Sequence, residues 1–310
     1  MEEIMATKIV VFGSFVVDLA SRADHLPRPA ETVIGSVFAL GPGGKGSNQG
    51  VAAHRAGADV CMITKVGDDV FGKVALDFYQ SEGMNTDLIF VDKEKETGTA
   101  LIMVDENSAQ NQILVVPGAC GNISDEDIEQ ATPAIKNAQI ILMQMEVNLD
   151  ANWKVLDIAH KNGVKVVLNT APAQKVDDSI LAKVNVLTPN EVEASILSGV
   201  EVVTMDDARR AAEVFQKKGV EEVVITMGAQ GAYVRSGSRE LIIPRLNVEA
   251  IDTTGAGDAF NGGLVTALAE DKDLFAAAEF ANVVGALSVT KKGTAPAMPF
   301  RKDIDAFMRK

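Results

Sequence analysis

The stretch Ile251-Asp-Thr-Thr-Gly-Ala-Gly-Asp-Ala-Phe-Asn-Gly-Gly263 sets an acid, Asp258, directly behind Gly255, Ala256 and Gly257, which carry almost no side chain. Small residues, an acid, and then Phe260, Leu264 and Leu268 at intervals of four make the pattern of a helix N-terminus. The first N–H groups of a helix lack backbone partners, and the helix dipole favours negative charge there. An anion can therefore approach the N–H groups of Gly255, Ala256 and Gly257 closely. Two readings stay open at this point. Asp258 is a general base beside a phosphate-sized site, or it only complements the dipole of an ordinary helix.

A second glycine-rich stretch, Gly41-Pro-Gly-Gly-Lys-Gly-Ser-Asn48, reads as a tight loop opening a helix of small residues from Gln49 to Gly57. Neither stretch is a common phosphate motif. The dinucleotide fingerprint fails because Phe260 occupies the place of its last glycine, and a Walker loop fails at Ala39 and Gly46. The three histidines, His25, His54 and His160, have no metal-ligand spacing, and no G-x-S-x-G elbow is present. Two glycine loops, an acid at a helix start, and acids and amides at strand ends suit phosphoryl transfer, where positioning and charge stabilisation do most of the work.

The elements that must carry these residues alternate. The β-branched run Lys8–Val17 reads as a buried first strand, with Asp18 at its end. Thr32–Leu40 reads as an exposed strand, Val60–Val66 as a strand, and Val70–Glu82 as a helix ended by Gly83. Leu88–Val91, Gly98–Val104 and Gln112–Val116 follow without helices between them. Strands at Gln139–Met143, Val164–Leu168, Val184–Leu187 and Val223–Met227 then alternate with helices at Asn152–His160, Glu191–Leu197 and Ala208–Lys217. Tyr233–Ile243 reads as a hairpin turning at Ser236-Gly-Ser238, and helices close the chain at Gly262–Ala269, Leu274–Val289 and Ile304–Arg309. This order predicts one α/β domain over residues 1–310: a doubly wound, mainly parallel sheet with helices on both faces. The early strands, from about 15–42 and 96–118, predict a small β-sheet lid. Asp18, Glu146, Asn190 and Gly228 all follow strands, which places them on the rim where such sheets bind ligands.

Composition narrows the partners. With 43 acids against 29 bases the formal charge is −14, which speaks against nucleic acid, and no apolar run is long enough for a membrane span. Cys61 and Cys120 form no disulfide framework, and the Met-Glu-Glu start lacks a basic signal region, so a soluble, cytoplasmic protein is expected. Tyr233 and Trp153 read as packing residues and the eleven methionines as core filler.

Taken together, Gly43-Gly-Lys-Gly-Ser-Asn48 with Ala52-Ala53 and Ala56-Gly57, and Asp252-Thr-Thr-Gly-Ala-Gly-Asp258, resemble the two signatures of the ribokinase (pfkB-type) sugar kinase family. The likeness extends through Thr64-Lys-Val-Gly-Asp-Asp69, Gln144-Met-Glu146, Asn169-Thr-Ala-Pro172, Thr188-Pro-Asn-Glu191 and Ser288-Val-Thr-Lys-Lys-Gly-Thr294. It implies that Asp258 takes the proton of a sugar hydroxyl attacking the γ-phosphate of ATP, while the N–H groups of Gly255, Ala256 and Gly257 hold the transferring phosphoryl. It implies a sugar site of Ser14, Val16, Asp18, Gly43, Gly44, Lys45, Asn48 and Glu146. ATP would lie on Asn190, Thr226, Met227, Gly228, Ala229, Gln230, Gly231, Gly257 and Asn282. Glu193 would serve Mg2+ indirectly, and Asp252, Thr254, Ser288, Lys291 and Gly293 would hold K+. A homodimer formed through the lid is the expected assembly.

Each residue also has a plainer reading: Glu146 as a cap, Lys45 as a solvated side chain, Asn190 as an N-cap, Gly228 and Gly231 as turn formers. Two positions depart from the family. Val16 stands where ribokinases carry an asparagine that binds a ring hydroxyl, and an unmatched buried hydroxyl costs about 1–3 kcal/mol. Ala297 stands where a serine is usual near the cation, so a weaker K+ dependence is expected. The family default is D-ribose to D-ribose 5-phosphate; Val16 favours 2-deoxy-D-ribose, as in deoxyribokinases, which carry an apolar residue there. Fructokinase and nucleoside kinase are rivals of the same class, the latter disfavoured by an aromatic content of 5%. A catalytically silent sugar-binding protein is the rival of a different class, and a nicotinamide dehydrogenase fails with its fingerprint.

Overall fold

The computed structural model describes residues 9–108 and 110–309. Its main sheet has nine strands in the order β13-β12-β11-β10-β9-β8-β1-β4-β5. These are β1 (Ile9–Phe12), β4 (Val60–Gly67), β5 (Ile89–Asp92), β8 (Ile140–Met143), β9 (Lys165–Leu168), β10 (Val186–Leu187), β11 (Glu222–Thr226), β12 (Ala232–Ser236) and β13 (Arg239–Ile243). Strands β5 to β11 run parallel, and the hairpin β12–β13 adds an antiparallel edge. A separate sheet of order β3-β2-β6-β7 contains β2 (Val16–Ala23), β3 (Val37–Gly43), β6 (Thr97–Asp105) and β7 (Asn111–Gly118).

Strand alternation builds two cores from one sheet. Ile9 and Val11 face one apolar cluster, and Val10 and Phe12 face the other. The first cluster collects α1 (Lys45–Arg55), α2 (Val70–Ser81), α8 (Ala256–Ala269), α9 (Leu274–Ser288) and α10 (Arg301–Met308). The second collects α3 (Asp125–Asn137), α4 (Leu149–Lys161), α5 (Asp178–Leu181), α6 (Glu191–Ser198) and α7 (Met205–Lys217). Helices on both faces of a mainly parallel sheet are the doubly wound arrangement. The chain leaves β1 toward β4 and β5, and later returns to β8 on the other flank of β1. The carboxyl ends of β1 and β8 therefore mark the switch point, where open α/β sheets bind ligands.

Four expectations are corrected. The run from Lys8 to Val17 is two strands in two sheets: Gly13-Ser14-Phe15 breaks it, so β1 stays in the core and β2 crosses into the small sheet; Lys8 itself lies outside the described residues. The exposed strand expected at Thr32–Leu40 runs from Val37 to Gly43. The first helix starts at Lys45 rather than Gln49, because Gly44, at φ 90°, makes the turn that the glycine loop was expected to make over several residues. The helix expected at Gly262–Ala269 begins at Ala256, because Gly255, at φ 78°, caps it ahead of the apolar run.

Candidate active site

At the switch point the first N–H of α1, that of Lys45, donates to Glu146 Oε2 at 2.8 Å, and the Ser14 hydroxyl donates to the same oxygen. A residue beyond β8 thereby fastens the loop beyond β1 to the start of α1. Glu146 thus caps a helix remote in sequence, where the plainer reading expected a cap or pair at its own strand end. Asp18 leans over Gly43, where an added Cβ would lie 2.1 Å from Asp18 Oδ1. Its other oxygen accepts from the Thr294 hydroxyl at 3.2 Å. Val16 is two residues before Asp18 on β2, hence on the same face, and is 2% exposed.

The second glycine stretch approaches from α8. Gly255 is its N-cap, at φ 78°, a conformation any Cβ disfavours. Gly257 opens onto free space, while the Ala256 N–H already reaches the Thr253 carbonyl at 3.3 Å. Helices α1 and α8 touch backbone to backbone: a Cβ on Gly262 would lie 2.5 Å from that of Ala52 and 2.7 Å from the Gln49 carbonyl. This contact brings the first turn of α1 against Asp258. Asn48 Nδ2 donates to Asp258 Oδ2 and Gln49 Nε2 to Oδ1, both at 3.0 Å.

These groups share one electrostatic environment. Burial pushes the Asp258 carboxyl above its usual range; Lys45, Gln49 and Asn48 pull against this without cancelling it, and Glu146 adds to the rise. Burial likewise drives Asp18 up to about 6, against the Thr294 hydrogen bond and with help from Glu146 and Asp258. For Lys45, burial opposes the charge, but Asp258, Glu146 and Glu193 more than restore it, so the ammonium is held above its ordinary range. The Lys45 side chain is half-buried in the field of these three carboxylates.

The remaining expected residues lie on strand ends and loops, except Asn282, which sits within α9. Asn190 caps α6 and forms a reciprocal capping box with Glu193, whose carboxylate also accepts from Thr170 at 3.1 Å. Burial raises Glu193, against hydrogen bonds from Asn190 and Thr170. Thr226 ends β11, buried Met227 follows, and Gly228 to Gln230 form a short turn ending at Gly231, at φ 102°. Ala229 is exposed, the Gln230 amide points to the Val203 carbonyl, and that of Asn282 to Pro244. Asn190 and the turn glycines thus do serve local structure, as the plainer reading held.

Asp252 binds the loop after α9: Oδ1 accepts from the Thr254 N–H at 3.0 Å and Oδ2 from that of Gly293 at 3.1 Å. Val289 ties the same two loops by accepting from the N–H groups of Ile251 and Asp252, and the Ser288 carbonyl accepts from the Lys291 N–H. Ala297 is buried beside them. A cavity of about 440 Å³ runs from Asp18 past Thr294 and Gly293 to Asp252 and Thr254, walled by Ile102 of the small sheet. Among the described residues no cluster of histidine, cysteine and carboxylate side chains forms a ready metal centre.

Local sequence presents Gln49 only as a helix residue and gives Asn169, Thr188, Asn261 and Thr294 no individual roles. For Gln49 the signal is polarity where none belongs: Ser47-Asn48-Gln49 lies within Gly46–Ala53, the buried and otherwise small, apolar part of α1.

This geometry has known counterparts. The model of the pfkB family carbohydrate kinases matches residues 6–301. The chain belongs to the pfkB family of carbohydrate kinases. It is 41% identical to the ribokinase of Haemophilus influenzae over 98% of this chain and 99% of that one. It is 38% identical to the deoxyribokinase of Salmonella typhi, over 97% and 98% of the two chains. The structure of Arabidopsis thaliana ribokinase complexed with ribose and ATP superposes with a TM-score of 0.91 at 28% identity, covering 99% of this chain and 100% of that one. The protein is thus an ATP-dependent sugar kinase of the ribokinase type.

Proposed function

We propose that the chain transfers the γ-phosphoryl group of ATP to the 5-hydroxyl of a pentose, D-ribose being the default substrate. The observation that carries this is the meeting of Asp258, buried and ionisable, with the open turn at Gly257 and with Lys45 and Asn48 across from it. As the sugar oxygen bonds to the γ-phosphorus, the bridging oxygen of ATP leaves with the bond electrons, and Asp258 takes the hydroxyl proton. The N–H groups of Gly255 and Gly257, joined by that of Ala256 once it leaves the Thr253 carbonyl, meet the charge spread over the transferring phosphoryl. Ser14, Asp18, Gly43, Gly44, Lys45, Asn48 and Glu146 hold the sugar. The strand-end turn from Thr226 to Gly231, with Asn190 and Asn282, holds ATP through backbone and shape, since all three side-chain amides (Asn190, Gln230 and Asn282) bond within the protein.

The oxygen-only donors at Asp252, Thr254, Ser288, Lys291 and Gly293 fit a hard monovalent cation such as K+. Glu193, with its carboxylate already bonded, fits an indirect role toward Mg2+. When bound, the two cations neutralise phosphate charge and stiffen the loop below the anion site. The four-stranded sheet serves as a lid over the cavity, part of the single domain spanning 1–310. Its other face carries exposed Phe38, Leu40, Leu101 and Leu114, apolar area that a second copy would cover in a homodimer. Cys61 and Cys120 are free thiols, in keeping with a reducing cytoplasm.

One observation favours a second reading, 2-deoxy-D-ribose. Val16, buried on the sugar-facing side of β2, offers no hydrogen bond to a ring hydroxyl. A panel of pentoses, hexoses and nucleosides in an ATP-consumption assay tests both readings. Phosphorylation of a pentose well above the rest supports the first. A ribose preference above about tenfold over 2-deoxyribose, or ~1.4 kcal/mol, rejects the second.

A further inference from the structure

Gln49 has no part in the roles assigned above, yet it is fully buried and its amide makes three side-chain hydrogen bonds. Its Nε2 donates to Asp258 Oδ1 at 3.0 Å and to Asn169 Oδ1 at 3.1 Å, and its Oε1 accepts from Gln144 Nε2 at 2.8 Å. The chain of bonds continues: Asn169 Nδ2 donates to the Thr188 carbonyl at 2.7 Å, and the Thr188 hydroxyl to Asn261 Oδ1 at 2.6 Å. Asn261 Nδ2 then donates to the Gly257 carbonyl at 2.8 Å, one residue from Asp258. The circuit leaves Asp258 through its side chain and returns to its own helix turn. A carbonyl can only accept, so Thr188 fixes the orientation of Asn169, and Asn169 that of Gln49. Flipping the Gln49 amide would set oxygen against oxygen at both Asp258 and Asn169.

Asn48 is held differently. Its Nδ2 donates to Asp258 Oδ2 at 3.0 Å, but its own Oδ1 is buried without any hydrogen-bond partner, in a residue 4% exposed. A buried acceptor left unmet is costly and is satisfied by whatever donor arrives. A sugar hydroxyl is such a donor.

We infer that the two oxygens of Asp258 have separate tasks: Gln49 anchors Oδ1, Oδ2 receives the proton, and Asn48 turns its unmet oxygen to the sugar. This rests on Asp258 being the base. Moving Gln49 breaks three bonds in a closed circuit, whereas Asn48 rotates at the cost of one and gains another. Gln49 is thus a positioning residue that acts through Asp258. Its hydrogen bond opposes the rise that burial imposes on the carboxyl, alongside Lys45 of α1 and against Glu146 beyond β8, Asp18 of β2 and Glu193 of α6.

The test uses the full chain with saturating ATP and magnesium, the better of ribose and 2-deoxyribose, and pH profiles of kcat and sugar KM. Gln49→Met is expected to lower kcat about ten- to a hundredfold, leave KM within about threefold, and move the acid limb of kcat up by about one pH unit. Asn48→Ala is expected to raise sugar KM at least about tenfold, with a smaller effect on kcat. A native pH profile for Gln49→Met overturns the inference. So does an Asn48→Ala protein with unchanged KM and depressed kcat, and this second variant decides the matter should Gln49→Met not fold. An active Asp258→Asn protein removes the base itself; an inactive one beside a native-like Gln49→Met removes only the division of labour.

Discussion

Asp252 and Asp258 stand at the two ends of one glycine-rich turn, and the fold treats their carboxylates in opposite ways. At Asp252 both oxygens accept from backbone N–H groups, those of Thr254 and Gly293. Burial opposes ionisation there, but the two N–H groups outweigh it and hold the carboxyl below its usual range. At Asp258 both donors are side-chain amides, Asn48 and Gln49, and deeper burial leaves the carboxyl above its usual range. A backbone donor cannot turn away without undoing its turn, so Asp252 is a lasting anion suited to organising two loops or holding a cation. An amide on a side chain can rotate, so Asp258 can trade a donor for a proton. Under the proposed roles, the identity of the donors, more than the acid itself, separates a structural carboxylate from a reactive one.

Asp18 sharpens this contrast, because it too is raised by burial, to about 6, with one hydroxyl donor from Thr294. A group raised on folding stabilises the fold below its unfolded pKa and loses that contribution as pH rises through the folded value. Ionised Asp18 therefore costs stability at pH 7.5. Asp18→Asn is expected to raise sugar KM about tenfold while raising Tm by about 2–6 °C at pH 7.5, with the gain vanishing near pH 4. A Tm that falls at pH 7.5 contradicts the assignment. In the unaltered protein, kcat/KM for the sugar should decline as pH drops below about 6, as Asp18 ceases to be a pure acceptor.

Asp252→Asn probes the other side with a smaller effect. An amide places N–H against one of the two backbone N–H groups, and partial exposure screens part of the loss. Tm is expected to fall by about 2–4 °C, with turnover becoming less responsive to added potassium and sugar KM unchanged. Because the folded pKa is depressed, the stability deficit is present above the ordinary carboxyl range and closes as pH falls through the folded value. A deficit that persists unchanged in acid would contradict the backbone-held anion.

Much of this was legible in the chain. Strand–helix alternation from about residue 122 onward maps onto β8 to β13 with shifts of a few residues, since short apolar runs between polar helices leave one way to pack. The helix N-terminus around Asp258 was legible from Gly255, whose left-handed turn suits glycine, although α8 itself begins at Ala256. The course of Lys8–Val17 was not, because a β-branched run reads the same whether it stays in one sheet or crosses to another at Gly13-Ser14. Nor was the helix start at Lys45, where the capping carboxylate is Glu146, remote in sequence. Gln49 escaped for the same reason: its partners Gln144, Asn169 and Asp258 come from three distant segments, and no local pattern announces them.

The central claim is that Asp258 is the base of a sugar kinase. It is tested most directly by Asp258→Asn, measuring turnover and equilibrium sugar binding on the same preparation. Asparagine keeps the size of the side chain and removes its capacity to take the proton. Turnover is expected to fall by at least about a thousandfold, or ~4 kcal/mol of barrier, with the sugar Kd within a few-fold of the unaltered protein. Phosphorylation retained within about tenfold, ~1.4 kcal/mol, would contradict it.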